Sequence, residues 1–209
     1  MRRERPAGRA PGCRFSRTSA IVTVVRELDS EVRMVNRTEV RLELMTGDEA
    51  LGRRAELMDL YREVFTGPPW NEGEGEVADF GDRFAVDAAR PGFRAVLAFG
   101  DTGLCGFGTA WTTASPLPVA RSYGKVLAAL GPEGVDRFLV GALQVDELAV
   151  APHARGRGLA GRILDLLCGG DRSWLLTSTG APDAIRLYER LGWRRAGEND
   201  GIVVFTNPE

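Results

Sequence analysis

The chain of 209 residues has little of several residue types that would mark particular protein classes. It contains one histidine, His153, and three cysteines, Cys13, Cys105 and Cys168, which are scattered without C-x-x-C spacing. A zinc site or any other metal site is therefore not expected. An odd number of cysteines without a secretory signal favours reduced thiols in a cytoplasm. A Ser-His-Asp hydrolase would have to use His153, and the sequence has no G-x-S-x-G elbow to accompany it.

Long apolar runs and an excess of one charge are also lacking. The most apolar runs, such as residues 20–25, are far too short to span a bilayer. The net charge of −2 provides no overall basic field that would attract nucleic acid. Lys125 is the only lysine among 27 basic residues, a bias that we attribute to a GC-rich, bacterial genome. The sequence thus predicts a globular protein with neither a nucleic-acid partner nor a membrane partner.

The N-terminus differs in composition from the remainder of the chain. Residues 1–18 are rich in arginine, glycine and proline, which predicts a disordered basic segment. No apolar stretch follows the twin arginine, so an export signal is not indicated. We assign residues 1–38 to a poorly ordered extension and residues 39–209 to one domain. An excursion at residues 115–139 is longer than a hairpin needs, and two roles are open for it: a lid over a binding site or a homodimer contact.

Apolar periodicity gives the order of elements as β-α-α-β-β-(insert)-β-α-β-α-β-β. The first strand runs into a helix that Thr46 would cap, and Gly67-Pro68-Pro69 ends the apolar helical pattern at Phe65. A second helix is expected over 77–89, and a short helix inside the excursion over 119–130. This order predicts one domain of the α/β class (mixed α+β), with helices flanking a central mixed sheet.

The strongest local signal is a glycine-rich turn that follows the strand predicted at 143–150. Gly156 and Gly158 have no side chains to block a nearby anion, and the N-terminus of the following helix presents free N–H groups with positive partial charge. Arg155 and Arg157 add two cations. In physical terms this turn is a cradle for a pyrophosphate.

The glycines also spell G-x-G-x-x-G (Gly156, Gly158, Gly161), the fingerprint of dinucleotide-binding folds. Three features oppose a nicotinamide cofactor. The fingerprint lies late in the chain, five residues separate it from the strand, and no acidic residue ends the next strand to bind a ribose. A tight turn with a purely structural role is a further alternative.

Two motifs resemble those of a known family, the GCN5-related N-acetyltransferases (GNAT). Its motif A resembles Arg155-x-x-Gly158-x-Ala160 after a strand that ends Leu148-Ala149-Val150-x-Pro152. Its second signature resembles Ala184-Ile185-x-Leu187-Tyr188-Glu189-x-Leu191-Gly192-Trp193. The resemblance implies a GNAT-like single domain whose sheet of about seven strands is mostly antiparallel. One departure is Ala181, where many members of the family have asparagine.

The resemblance also implies the chemistry, which is transfer of an acetyl group from acetyl-CoA to a primary amine in a ternary complex without a metal. The acceptor would be a small molecule or a protein or peptide N-terminus. The residues implied to bind acetyl-CoA are those of the strand end and the turn: Leu148, Ala149, Val150, Arg155, Gly156, Arg157, Gly158, Leu159 and Ala160.

Acetyl transfer requires that the amine lose a proton and that the departing thiolate be stabilised. Tyr188 is the candidate acid, because a phenol keeps its proton at neutral pH; the alternative is a core aromatic. Asp146 and Glu147 are the candidate bases. Neighbours on a strand point to opposite faces, so at most one of the two should face the acceptor. The resemblance favours Asp146, because residues of its parity often carry the base in the family, unless a bulge reverses the choice. Both carboxylates could instead be solvated or paired with arginine, which would leave the deprotonation to water.

The resemblance implies that the acceptor site is built largely by the first two predicted helices and the segment between them. Trp70 lies beside an acidic run that includes Glu72 and Glu74, a combination suited to a cationic amine, although a solvated loop explains it equally well. A different functional class also stays open. The chain could be a catalytically weak module of the same fold that binds acyl-CoA or another protein.

Overall fold

A computed structural model describes residues 39–118 and 122–207 of the chain. The predicted basic extension at 1–38 lies outside the described residues. In the described part, no helix is both long enough and apolar enough to cross a membrane.

The described residues form one seven-stranded sheet with the strand order β1-β2-β3-β4-β5-β7-β6. Only β4 and β5 pair in parallel among these strands, and the other neighbours are antiparallel. The expected mixed, mostly antiparallel sheet is therefore confirmed. The strands are β1 (Arg41–Met45), β2 (Arg94–Gly100), β3 (Gly103–Thr112), β4 (Leu143–Val150), β5 (Ser173–Ser178), β6 (Arg194–Asn199) and β7 (Ile202–Thr206).

Six α-helices flank this sheet in the described residues. Thr46 begins the first with a capping box, in which its N–H donates to the Glu49 carboxylate at 2.8 Å, as the sequence indicated. A break at residues 52–53 then separates two helices where the apolar pattern runs on. The helices are α1 (Gly47–Leu51), α2 (Arg54–Phe65), α3 (Glu74–Asp87), α4 (Tyr123–Phe138), α5 (Leu159–Cys168) and α6 (Pro182–Arg190).

The two faces of the sheet are packed by different means. On one face an aromatic cluster joins α2 and α3 to the sheet, with the rings of Tyr61 and Phe80 stacked at 4.0 Å between centroids. On the other face α5 approaches β3 closely because Gly106 and Gly108 have no side chains. A Cβ atom at Gly108 would lie 2.9 Å from Cγ2 of Ile163, so this close approach needs glycine.

The excursion folds as α4, which lies later in the chain than the 119–130 helix that the sequence predicts. It has a kink at Gly131, whose φ is 67°. The helix packs against β6 and β7 and forms a second core cluster that includes Tyr123, Trp174 and Val204. A helix therefore covers the C-terminal part of the sheet, on the face that also carries the Trp174 side chain.

Candidate active site

A fork in the sheet creates the site. The pairs Leu143–Ser173 and Gln144–Trp174 are the parallel pairs of β4 and β5 in the described sheet, and the two strands separate after them. The part of β4 from Val145 to Val150 thus runs along a gap on that side, while β3 pairs with its other edge. An extended molecule can lie in such a gap and use the backbone groups that β5 leaves unpaired.

The glycine-rich turn lies at the open end of this gap. A short 3-10 turn, Pro152–Ala154, follows β4, and Gly156 and Gly158 then adopt φ values of 75° and 71°. Gly158 is the N-cap of α5, so the first N–H groups of that helix have no carbonyl one turn earlier. A Cβ atom built on Gly156 or Gly158 would meet nothing within 4 Å, so this backbone is open to a ligand.

The two arginines of the turn lie in different surroundings. The Nε atom of Arg155 donates to the carbonyl oxygen of Val150 at 3.0 Å, which ties the turn to the end of β4. Arg157 is exposed and lies near the thiol of Cys105. Burial raises the pKa of that thiol, and the charge of Arg157 offsets part of the effect. His153, in the same turn, is exposed.

One cleft of about 660 Å³ joins the turn, the gap and parts of two helices. Leu148 and Val150 line it from β4, whereas the Ala149 side chain, of opposite parity, is buried in the core. The predicted residues that line the cleft are Trp70, Leu148, Val150, Arg155, Gly156, Gly158, Leu159, Ala160 and Tyr188. The sequence analysis missed other lining residues, among them Val64, Pro68, Pro69, Asp183 and Arg190.

Tyr188 is the buried polar side chain of this cleft. It lies on α6 with 8% of its surface exposed, and its ring packs against Phe205 and Trp193 at centroid distances of 5.6 and 6.2 Å. Burial, and then the charge of Glu147, raise the pKa of Tyr188 above its ordinary value. The phenol is therefore neutral over the physiological pH range and keeps a proton to donate.

A bulge in β4 decides how the two candidate bases are placed. Thr109 pairs with Glu147, and Ala110 pairs with Val145, so Asp146 is the extra residue of the strand. The bulge breaks the alternation on which the parity argument for Asp146 rested. Glu147 lies on the α3 side of the sheet, with its Oε1 atom 3.6 Å from Nη2 of Arg83. Asp146 accepts a hydrogen bond from Nε2 of Gln144 at 3.3 Å.

A second buried phenol lies in the field of Glu147. The hydroxyl of Tyr61 donates to Oε2 of Glu72 at 2.7 Å. Burial, the charge of Glu147 and this hydrogen bond raise the pKa of Tyr61. Tyr61 could not be singled out from the sequence, because periodicity identifies a buried face and cannot show where a hydroxyl points. The structure thus adds Tyr61 and Arg83 to the polar groups around Glu147.

The three acceptor-side candidates are only partly brought together. Trp70 lines the cleft, and its ring lies 5.6 Å from that of Phe65. Glu72 lies behind it at the hydroxyl of Tyr61. Glu74 is the first residue of α3 and is paired with Nε of Arg62 at 3.1 Å, with its side chain 73% exposed. Glu74 therefore has a surface ion pair with α2, while Trp70 lines the cleft and Glu72 accepts the hydrogen bond of Tyr61.

Ala181, where many family members have asparagine, is buried immediately before α6 and lines the cleft. The nearby Ser178 hydroxyl accepts a hydrogen bond from the Gly180 N–H at 3.1 Å. The described residues contain no cluster of three or more histidine, cysteine or acidic side chains that could hold a metal ion.

Part of the chain matches a known family. Residues 98–195, which include the fork, the turn and Tyr188, match the family model described as an acetyltransferase (GNAT) domain. No curated protein matches the sequence.

Solved structures with low sequence identity share the fold. The PaiA N-acetyltransferase of Thermoplasma acidophilum, in complex with coenzyme A, has a TM-score of 0.57 and 10% identity, over 82% of this chain and 99% of that one. A protein of Pyrococcus horikoshii has a TM-score of 0.55 and 19% identity, over 82% and 99%. An acetyltransferase from Thermus thermophilus has a TM-score of 0.54 and 15% identity, over 81% and 97%. The resemblance in the sequence is confirmed over this range, because residues 98–195 match the acetyltransferase (GNAT) domain model and the solved structures share the fold.

Proposed function

We propose that the chain transfers the acetyl group of acetyl-CoA to a primary amine of a small molecule or a protein N-terminus, within a ternary complex. One observation carries the proposal. A single cleft joins a glycine-rich anion cradle, the edge of a splayed strand and a buried neutral phenol, Tyr188. We place the N-acetyltransferase domain at residues 39–209, with an insertion at residues 115–139 that contains α4.

The turn and the fork suit the two ends of acetyl-CoA. The N–H groups between Gly156 and Ala160 bind the pyrophosphate, which is favoured there by the dipole of α5 and by Arg155 and Arg157. The pantetheine lies along the residues Leu148 to Val150 in the gap between β4 and β5. This arrangement brings the thioester toward Tyr188.

Glu147 is the general base of the proposed reaction. A protonated amine cannot attack, so Glu147 takes a proton from it directly or through one water molecule. The amine nitrogen then forms a bond to the thioester carbonyl carbon, and the carbon–sulfur bond breaks. Tyr188 donates its proton to the departing thiolate, and the nitrogen loses its second surplus proton, which restores the phenol of Tyr188. The products are an amide and CoA, and Glu147 releases the first proton to solvent.

Glu147 is preferred to Asp146 because the bulge turns Glu147 to the face where α2 supplies Tyr61 and the segment between α2 and α3 supplies Trp70. An acceptor amine that reaches Glu147 passes this aromatic surface and the Glu72 carboxylate. Both features favour a cationic acceptor, through cation–π and charge attraction. Glu74 contributes at most a long-range field, since it lies outside the cleft in an exposed pair with Arg62.

A catalytically weak acyl-CoA-binding module is the second candidate, and the alanine at position 181 favours it. The neutral phenol of Tyr188 in the field of Glu147 favours the enzyme, since a binding module needs neither group.

The variant Glu147→Gln tests the proposal. It keeps the size of the side chain and removes the base, so kcat with a primary amine falls by roughly a hundredfold or more, while the Kd for acetyl-CoA stays unchanged. Steady-state kinetics and calorimetry measure the two effects.

The matched control is Glu189→Gln. Glu189 is paired with Arg195 at 2.9 Å on the surface of α6, and its substitution leaves kcat unchanged. Equal activity of Glu147→Gln and the wild type would contradict the role of Glu147. A wild type that binds acetyl-CoA without turnover would favour the binding module.

A further inference from the structure

We infer that α4 supplies a positioning residue for the proposed acetyl transfer: Tyr123 fixes the bulge of β4 through Gln144 and Asp146 and thereby holds Glu147 on the acceptor face. The inference rests on the proposed function, because it assigns a role in that reaction to a helix outside the cleft.

The observation is a chain of two hydrogen bonds that begins in the core. The hydroxyl of Tyr123 donates to Oε1 of Gln144 at 2.7 Å, and Nε2 of Gln144 donates to Oδ1 of Asp146 at 3.3 Å. Tyr123 is 4% exposed and Gln144 is 5% exposed. A buried carboxamide with partners for both its oxygen and its nitrogen is strongly oriented, because either group left unpaired would be costly.

These two hydrogen bonds lie at the fork of the sheet. Gln144 pairs with Trp174 in the last of the two parallel pairs of β4 and β5. The extra residue of the bulge, Asp146, follows two positions later, and Glu147 comes next. The hydrogen bonds thus hold the point at which β4 leaves β5 and reverses its side-chain alternation.

The phenol of Tyr123 determines which way the carboxamide faces. A donor at Oε1 keeps the amide nitrogen directed at the carboxylate of Asp146. Without that donor, Oε1 of Gln144 would be a buried acceptor that has lost its partner, so the carboxamide would move away from its present position. Asp146 would then shift, and the backbone that directs Glu147 would shift with it.

Other contacts hold α4 in place independently of this hydroxyl. The helix packs on Trp174 and Val204, and Nζ of Lys125 donates to the carbonyl oxygen of Asp200 at 3.0 Å. Tyr123→Phe therefore removes the hydrogen bond without releasing the helix.

We expect Tyr123→Phe to lower kcat for amine acetylation by about fivefold to tenfold and to leave the KM for acetyl-CoA within about twofold of the wild type. The control is Thr113→Val. It breaks an equally short buried hydrogen bond, which Nε1 of Trp174 donates to Oγ1 of Thr113 at 2.7 Å. It leaves the hydrogen bonds from Tyr123 through Gln144 to Asp146 intact. It lowers the free energy of unfolding and leaves kcat of the folded protein unchanged.

A double-mutant cycle separates positioning from a general loss of structure. Asp146→Ala removes the last acceptor of the two linked hydrogen bonds. Adding Tyr123→Phe to Asp146→Ala therefore changes kcat by less than about twofold. If the fold-reduction of kcat in the double variant equals the product of the two single reductions, the inference is overturned. A Tyr123→Phe variant with wild-type kcat would overturn it as well. If Tyr123→Phe does not fold, Gln144→Met breaks the same chain, and a normal kcat in that variant overturns the inference equally. A wild type with no amine-dependent turnover removes the proposed function itself, and the positioning role with it.

Discussion

At the scale of single residues, the site combines two buried phenols with one carboxylate. Tyr61 and Tyr188 both lie in the field of Glu147, and burial is the main reason that their pKa values are raised. A neutral phenol can donate a hydrogen bond or a proton wherever negative charge develops. The same burial makes both groups costly to ionise, which links the chemistry of the site to the stability of the fold.

This link predicts a loss of stability at alkaline pH. An unfolded tyrosine loses its proton near pH 10, whereas folded Tyr188 keeps it, so the unfolded state is favoured as pH rises. Below pH 10 the buried tyrosines make their full contribution to the free energy of unfolding. Above pH 10 the free energy of unfolding falls by up to about 1.4 kcal/mol per pH unit for each such tyrosine.

Urea unfolding of the wild type and of Tyr188→Phe at pH 9, 10 and 11 measures the effect. The variant is expected to lose stability less steeply than the wild type over this range. Parallel curves for the two proteins would contradict the assignment of Tyr188 as a buried group with a raised pKa.

The residues of the site differ in how far the sequence could predict them. The glycines of the turn and Tyr188 lie in short motifs, and the cleft includes both. The choice between Asp146 and Glu147 could not be made from alternation, because the bulge depends on the register of β4 against β3. The same limit applies to Tyr61 and Arg83, whose proximity to Glu147 arises only when the helices pack on the sheet.

At the scale of elements, the proposed binding of acetyl-CoA depends on the turn before α5. Gly158 caps the helix with a φ of 71°, a conformation that alanine adopts only at a cost of about 1 kcal/mol or more. The Cβ atom of an alanine at this position would stand in the open cleft, where we place the pyrophosphate. One substitution thus has two effects, on the free energy of unfolding and on binding.

We predict that Gly158→Ala raises the Kd for acetyl-CoA at least about tenfold and also lowers the melting temperature. Gly170→Ala is the matched control. Gly170 has a φ of 86° and open space around it, and it lies beyond the opposite end of α5. It should lose similar stability and keep its affinity in calorimetric titrations. Equal affinities in both variants would contradict the cradle.

The elements themselves were mostly predictable, with errors that have local causes. Strands and helices followed apolar periodicity because each has one buried face. The helix of the excursion lies later in the chain than expected, at Tyr123–Phe138, since its register is set by packing against β6 and β7. The break at residues 52–53 interrupts a pattern of apolar residues that continues on both sides of it.

At the scale of the whole molecule, the fork between β4 and β5 joins distant parts of the chain. The cradle lies at its open end, and α4 secures its closed end through Tyr123 and Gln144. The order of elements was enough to predict the sheet. The fork does not follow from that order, because strand separation leaves no mark in apolar alternation.

The most direct test of the account is a turnover experiment with the purified chain, acetyl-CoA carrying a labelled acetyl group, and a panel of primary amines that includes polycationic ones. Free thiol and labelled amide are measured together. The account predicts that they appear in equal amounts, only when an amine is present, and that Glu147→Gln suppresses both. Acetyl-CoA binding without amine-dependent thiol release in any member of the panel would contradict the central claim that this chain is an N-acetyltransferase.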